Sequence, residues 1–365
     1  MPLYIGLMSG TSMDGIDAAL IDMPSNRLIC GITKKYSPDT TTRINDLLYG
    51  TNLSLASVCQ LNTLIGKEFA YAVNELLHVA KVSSKEIEAI GSHGQTVCHD
   101  TSGLIPYTLQ LGCAHTISSL TGITVVADFR TRDIVNGGQG APFAPIYHQE
   151  LFAKSDMNVA VVNIGGIANI TFLSKDQATK GWDIGPGNCL MDAWILKQEG
   201  KSYDHSGAWA AQGEVIPSLL DKLLSDPFFS LNAPKSIGRE YFSLLWLEKY
   251  VSKEYKPESV QRTLLTLTAQ PIAQTILNNK DIKYLYLCGG GTHNTLLHKT
   301  LAFLLPDITV SSIAEVGVSP DYLEAMMFAW LGAQTINQIP LDLAAITGAP
   351  KPAILGAIYL STISI

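Results

Sequence analysis

Tyr4-Ile5-Gly6-Leu7-Met8-Ser9-Gly10-Thr11-Ser12-Met13-Asp14-Gly15-Ile16-Asp17-Ala18-Ala19-Leu20-Ile21 is the stretch on which the reading of the fold turns. Two short apolar runs, Tyr4 to Leu7 and Ile16 to Ile21, flank a polar turn. Runs of this kind, bounded by glycine and small polar residues, read as two strands of a hairpin. Gly6 to Gly15 holds three glycines, three hydroxyls and one carboxylate. Glycine lets backbone N–H groups close on an anion, and serine and threonine hydroxyls add donors for phosphate oxygens. Asp14 and Asp17 are oxygen donors of the kind that hold hydrated Mg²⁺ or position a substrate. An ordinary hairpin loop accounts for the same residues. A P-loop is excluded, because G-x-x-x-x-G-K-[ST] is absent.

Downstream, apolar positions such as Leu61, Ile65, Phe69, Val73 and Leu76 recur at helical spacing within a helix expected over 42–80. Ser83 to Glu86 has the form of a capping box. A buried strand follows near Ala89-Ile90, then a turn Gly91-Ser92-His93-Gly94-Gln95-Thr96. The order returns in the second half. Val159 to Ile164 and Ile167 to Leu173 form a hairpin around Gly165-Gly166, a helix covers 258–279, and a strand over 283–287 ends at Gly289-Gly290-Gly291. The chain therefore reads as an α/β protein of two duplicated halves around a central cleft, where glycine turns at strand ends meet small ligands. The expected domains are 1–128 and 129–365. Gly165 and Gly166 would be the counterpart of the first turn, and Gly289 and Gly290 could lie against an adenine or ribose.

Asp183 stands in Trp182-Asp183-Ile184-Gly185-Pro186-Gly187-Asn188, ahead of a helix from Cys189 to Gln198. It could serve as a general base, kept ionised by the helix dipole, or simply cap the turn. Arg130 suits two-pronged binding of a carboxylate or phosphate, or a surface ion pair with Asp128 or Asp133. His93, His99 and Asp100 lack the spacing of a zinc site, so a hydrogen-bonding histidine in a turn is expected. Ser319-Pro320 reads as a helix start, with Glu324 compensating the dipole or aimed into the cleft.

The bulk numbers set limits. With 365 residues, 47% hydrophobic and 16% charged, there is material for two cores. A net charge of −7 argues against a nucleic-acid surface. Six scattered cysteines without C-x-x-C spacing, no secretory signal and no apolar run long enough for a bilayer give a cytoplasmic expectation, with no membrane partner.

Taken together the chain resembles the 1,6-anhydro-N-acetylmuramic acid kinase family. The resemblance rests on Gly6 to Asp17, Ser92-His93-Gly94-Gln95-Thr96, Asp128-Phe129-Arg130, Gly137-Gly138-Gln139-Gly140-Ala141-Pro142, Asn163 to Asn169, Gly185-Pro186-Gly187-Asn188 and Cys288-Gly289-Gly290-Gly291. It implies two ribonuclease-H-like, actin-like ATPase domains, ATP with Mg²⁺, a homodimer and a role in cell-wall recycling. It implies that Gly10, Thr11, Ser12, Met13, Asp14, Gly15, Ile16 and Asp17 bind ATP phosphates, that Asp183 is the base, and that Asp14, His93, Arg130 and Glu324 contact the sugar. Two positions depart from the family pattern: Val135-Asn136 where alanines are expected, and Ile184 where a threonine would stand beside the base. An ordinary hydroxyl-directed amino-sugar kinase, a nucleotide-dependent binding protein and a metal hydrolase are the competing readings.

Overall fold

The computed structural model describes residues 2–10, 15–23, 25–50, 54–152, 158–174, 177–233, 235–238, 241–279 and 281–361. The chain forms two compact units, Met1–Tyr147 with Tyr322–Ile365, and His148–Asp321.

The first unit carries strands β1 (Leu3–Ser9), β2 (Ile16–Asp22), β3 (Arg27–Lys34), β4 (Ile87–Asp100), β5 (Tyr107–Leu111) and β6 (Val125–Ala127). Across the sheet the order is Ala357–Tyr359, β6, β4, β1, β2, β3, with β5 paired to β4. β1, β2 and β3 form an antiparallel meander, while β4 lies parallel to β1 and β6 parallel to β4. In the second unit, β7 (Val159–Ile164), β8 (Ile167–Ser174) and β9 (Gln177–Pro186) form the meander, and β10 (Tyr284–Cys288) and β11 (Thr309–Ser312) run parallel to β7 and to each other. Its order is β11, β10, β7, β8, β9. Strand for strand, β1-β2-β3-β4-β6 matches β7-β8-β9-β10-β11 in order and direction. That is the ribonuclease-H-like arrangement, present twice.

The hairpin strands β1, β2 and β7 are buried because they are apolar on both faces, whereas β3 and β5 alternate exposed and part-buried positions. In the first unit Ile5, Leu7, Ile16, Ala18 and Leu20 pack with Leu61, Ile65, Phe69, Val73 and Leu76 of the helix Leu55–Ala80. The second core gathers Val162, Ile164, Ile170, Leu285 and Leu287 with the helix Pro257–Leu277.

Three elements differ from the sequence expectation. The helix expected over 42–80 is two helices, Pro38–Tyr49 and Leu55–Ala80. Gly50 ends the first and Ser54 caps the second, its side chain accepting from Ser57 N–H. The expected turn at Gly91–Thr96 lies inside β4, which stays extended because β1, β5 and β6 all supply ladder partners. The last long helix starts at Leu323, with Tyr322 rather than Ser319 in the capping position.

The division of the chain also differs from an expected break at 128/129. Phe129–Tyr147 and the C-terminal segment from Tyr322 belong to the first unit. The cause is direct packing. Gly6 of β1 and Gly91 of β4 are register partners, and the helix Leu323–Ile336 rests on both. A Cβ on Gly6 would stand 1.7 Å from Ala325 O, and one on Gly91 1.8 Å from Phe328 O. Two glycines side by side thus let helix backbone touch sheet backbone.

Candidate functional site

In the first unit the sheet and two helices bring His93, Arg130 and Glu324 together. His93 sits on β4, buried beneath Phe328, whose ring centroid is 4.7 Å away. Arg130, in the helix Phe129–Val135, donates from Nε to His93 Nε2 at 2.8 Å and from Nη1 to Gly140 O at 2.8 Å. An arginine has no acceptor, so Nε2 must be the unprotonated nitrogen. The imidazole proton therefore sits on Nδ1, donated to Gly94 O at 2.8 Å. Burial and the guanidinium both hold the imidazole well below its usual pKa, so His93 is neutral. It acts as an orienting acceptor rather than a proton donor to Arg130.

Glu324 lies in the first turn of the helix Leu323–Ile336. Solvent reaches it, yet enough protein surrounds it to push its carboxyl up; Arg130 opposes that shift and Asp17 adds to it. Arg130 is not the surface ion pair that Asp128 or Asp133 could have offered. Asp133 is buried, accepting from Gly140 N–H at 2.7 Å and from Thr347 Oγ1 at 3.0 Å. It fixes the Gly137–Gly140 segment whose last carbonyl receives Arg130. Asp17, on β2, accepts from Thr33 Oγ1 at 2.6 Å. The carboxylates of Asp17 and Glu324 are the hard oxygen donors that Mg²⁺ prefers.

Of the first turn, Gly10, Gly15, Ile16 and Asp17 are described; Thr11, Ser12, Met13 and Asp14 lie outside the described residues. Ser9 is buried, and its hydroxyl reaches Gly15 O at 3.0 Å and Gln95 Oε1 at 2.7 Å, so it is not a donor for phosphate. Ile16 is a core residue.

In the second unit Asp183 lies on β9, opposite Asn169 of β8. Its backbone N–H donates to Lys235 O at 2.9 Å, and its Oδ2 accepts from Ile237 N–H at 2.9 Å. Oδ1 takes no hydrogen bond among the described residues. Burial raises the carboxyl above its usual range, against the lowering by Ile237 N–H. The expectation that the helix dipole governs its charge is therefore corrected. The helix begins only at Cys189, and its leading N–H groups are engaged: Gly187 N–H and Cys189 N–H with Gly166 O, Asn188 N–H with Gly165 O. Ile184 faces the core, so the missing threonine hydroxyl takes nothing from Asp183.

The glycines divide by geometry. Gly289 and Gly291 are held for packing, since a Cβ would meet Asn163 Oδ1 at 2.3 Å and Ile164 Cγ2 at 2.3 Å respectively. Gly290 meets only Asn188 Nδ2 at 3.8 Å, and Gly165 only Ile167 O at 3.6 Å, so these two have open space where a Cβ would stand. Gly166 contributes its carbonyl to the helix start.

A family model described as anhydro-N-acetylmuramic acid kinase matches residues 2–361. The chain belongs to this family. The anhydro-N-acetylmuramic acid kinase of Legionella pneumophila (strain Corby) is 71% identical over 360 residues, covering 98% of each chain. That of Coxiella burnetii is 47% identical over 98% of this chain and 97% of its own. Among solved structures, the activator of a 2-hydroxyisocaproyl-CoA dehydratase from Clostridium difficile, with bound ADPNP, is 11% identical over 92% of this chain and 96% of its own, with a TM-score of 0.47. Within this kinase family frame, sequence reasoning missed Gln95, Asp133 and the pair Gly6 and Gly91. The family motifs contained Gly6 and Gln95, and Gly91 stood in the expected turn before Ser92, but nothing in the spacing separated ligand contacts from supports.

Proposed function

We propose that the chain transfers the γ-phosphoryl group of ATP to O6 of 1,6-anhydro-N-acetylmuramic acid while water opens the anhydro ring, giving N-acetylmuramic acid 6-phosphate and ADP. The observation that carries this reading is Asp183, a half-buried carboxylate with one oxygen held by Ile237 N–H and the other taking no hydrogen bond among the described residues. Burial raises its proton affinity, which suits a base near neutral pH. Asp183 takes a proton from water as the water oxygen bonds C1. The C1–O6 bond breaks, its electron pair stays on O6, and O6 bonds the γ-phosphorus as the bond to ADP breaks. The remaining water proton stays on the new C1 hydroxyl. Mg²⁺, when bound with ATP, supplies charge neutralisation at the phosphates. The open space beside Gly165 and Gly290 supports a nucleotide role for both turns.

Arg130, aimed by His93 and Gly140 O, is assigned to the lactyl carboxylate of the sugar. Arg130→Lys is expected to raise KM for the sugar by about 10–100-fold, the worth of a hydrogen bond to a charged group, with KM for ATP little changed. Steady-state kinetics in both substrates check this. A cytoplasmic homodimer acting in peptidoglycan recycling belongs to the same proposal and is supported by the resemblance; among the described residues no helix is long and apolar enough to cross a membrane. Turnover in ¹⁸O-water tests the coupled reaction. Label at C1 of the product is expected, and phosphorylated product without it would overturn the coupling.

A further inference from the structure

Gln95 is fully buried at the point where β4 passes the end of β1. Its Nε2 donates to Gly10 O at 3.2 Å and Thr96 O at 3.3 Å. Its Oε1 receives Ser9 Oγ at 2.7 Å and Tyr36 Oη at 3.3 Å. The orientation of the amide is decided by its neighbours: the opposite flip would set Oε1 against two carbonyl oxygens. Ser9 Oγ also lies 3.0 Å from Gly15 O, so its single proton is shared between Gln95 Oε1 and that carbonyl. Gly10 and Gly15 are the two ends of the first glycine turn, so one buried amide and one hydroxyl hold both ends. The carbonyls of Gly10 and Gly15, groups that would repel a phosphate, are drawn inward onto Gln95 and Ser9.

We propose that Gln95, acting with Ser9, is the positioning residue of the phosphate turn. It sets the two ends of that turn and turns their carbonyls away from the nucleotide. The inference rests on the reading of Gly10–Asp17 as the phosphate turn. Gln95 touches no substrate in this role. The titratable groups on the neighbouring elements are Tyr36, whose phenol burial pushes well up, Glu68, which adds to that shift from the helix Leu55–Ala80, and neutral His93 on β4.

The discriminating variant is Gln95→Glu. Protonated, its carboxyl can still donate to Gly10 O; ionised, it faces two carbonyls with no proton to give. ATP affinity is measured by calorimetry, without turnover, for wild type, Gln95→Glu and Ser9→Ala at about pH 5.5 and about pH 9.5, the upper value chosen above the range of about 8–9 documented for strongly buried carboxyls. At the higher pH, Gln95→Glu is expected to bind ATP about tenfold or more weakly than wild type, the cost of breaking a buried hydrogen-bond network. At the lower pH the ratio to wild type is expected to recover to within about threefold. Ser9→Ala is expected to weaken ATP several-fold at both pH values and to leave KM for the sugar unchanged. It carries the test if the glutamate variant does not fold. A Gln95→Glu ratio that stays at wild type at both pH values, or KM rising equally for ATP and sugar, overturns the proposal. Wild-type protein that binds ATP but phosphorylates no anhydro sugar would refute the proposed reaction and leave the ATP measurements deciding the role of Gln95.

Discussion

Asp183→Asn is expected to lower turnover by about 10²–10⁴-fold, the contribution of a well-placed general base, with ATP and sugar affinities within a few-fold of wild type. The substitution is close to isosteric, and an amide oxygen can still accept from Ile237 N–H, the bond that Oδ2 makes now. The backbone bond to Lys235 O is untouched. What is lost is the capacity to take a proton from water. The pH profile gives an independent reading. A base works ionised, and burial raises the carboxyl of Asp183, so the acid limb of kcat/KM should lie above the ordinary carboxylate range. As pH falls through that raised value, activity is lost; the asparagine variant, with no carboxyl to titrate, should lack this limb. Wild-type rates in Asp183→Asn would remove the base from its assigned role, whatever the affinities. An acid limb unchanged in the variant would assign the ionisation to another group.

The strands of both hairpins were legible because short apolar runs and flanking glycines act locally, within a few residues. The repeat was legible as an order of elements, although pairing and direction appear only in the sheets. Glycine meaning was not legible. Gly91 and Gly94 resemble turn residues in sequence, yet one is a helix contact and the other a left-handed residue inside a strand. Gly289, Gly290 and Gly291 look equivalent, but of the three only Gly290 has room for a Cβ. Each distinction depends on an atom far away in the chain. The domain division was hidden for the same reason, because the helix Leu323–Ile336 returns to β1 across more than 300 residues. Among the candidate residues, Arg130 and His93 were singled out in the sequence, whereas their mutual hydrogen bond and the tautomer it imposes required coordinates. Asp133 and Gln95 went unassigned because a buried polar residue that braces a loop has the same one-letter signature as one on the surface.

Gly91→Ala is expected to destabilise the first unit by about 3 kcal/mol or more, at or beyond the usual range for overpacking a core. Ordinary overpacking is relieved by side chains changing rotamer. Here the added methyl would stand 1.8 Å from Phe328 O and 2.6 Å from Phe328 C, both backbone atoms of a helix. Relief requires the helix Leu323–Ile336 to move off the sheet, and that helix is almost wholly buried beyond Glu324. Gly6→Ala meets the same helix through Ala325 O at 1.7 Å and should behave alike. For a unit of this size the melting temperature should fall by about 6–12 °C. Gly103→Ala, whose nearest neighbour would be Asp100 Oδ2 at 3.9 Å, is the control and should change stability by no more than about 0.5 kcal/mol. The displacement also carries a functional signature. Glu324 begins the same helix, Phe328 covers His93, and His93 aims Arg130. Any Gly91→Ala or Gly6→Ala protein that remains folded should therefore lose sugar affinity more than ATP affinity. A variant with wild-type melting and wild-type sugar KM would show that the helix does not bear on the sheet through these glycines, and would detach Glu324 from the support assigned to it.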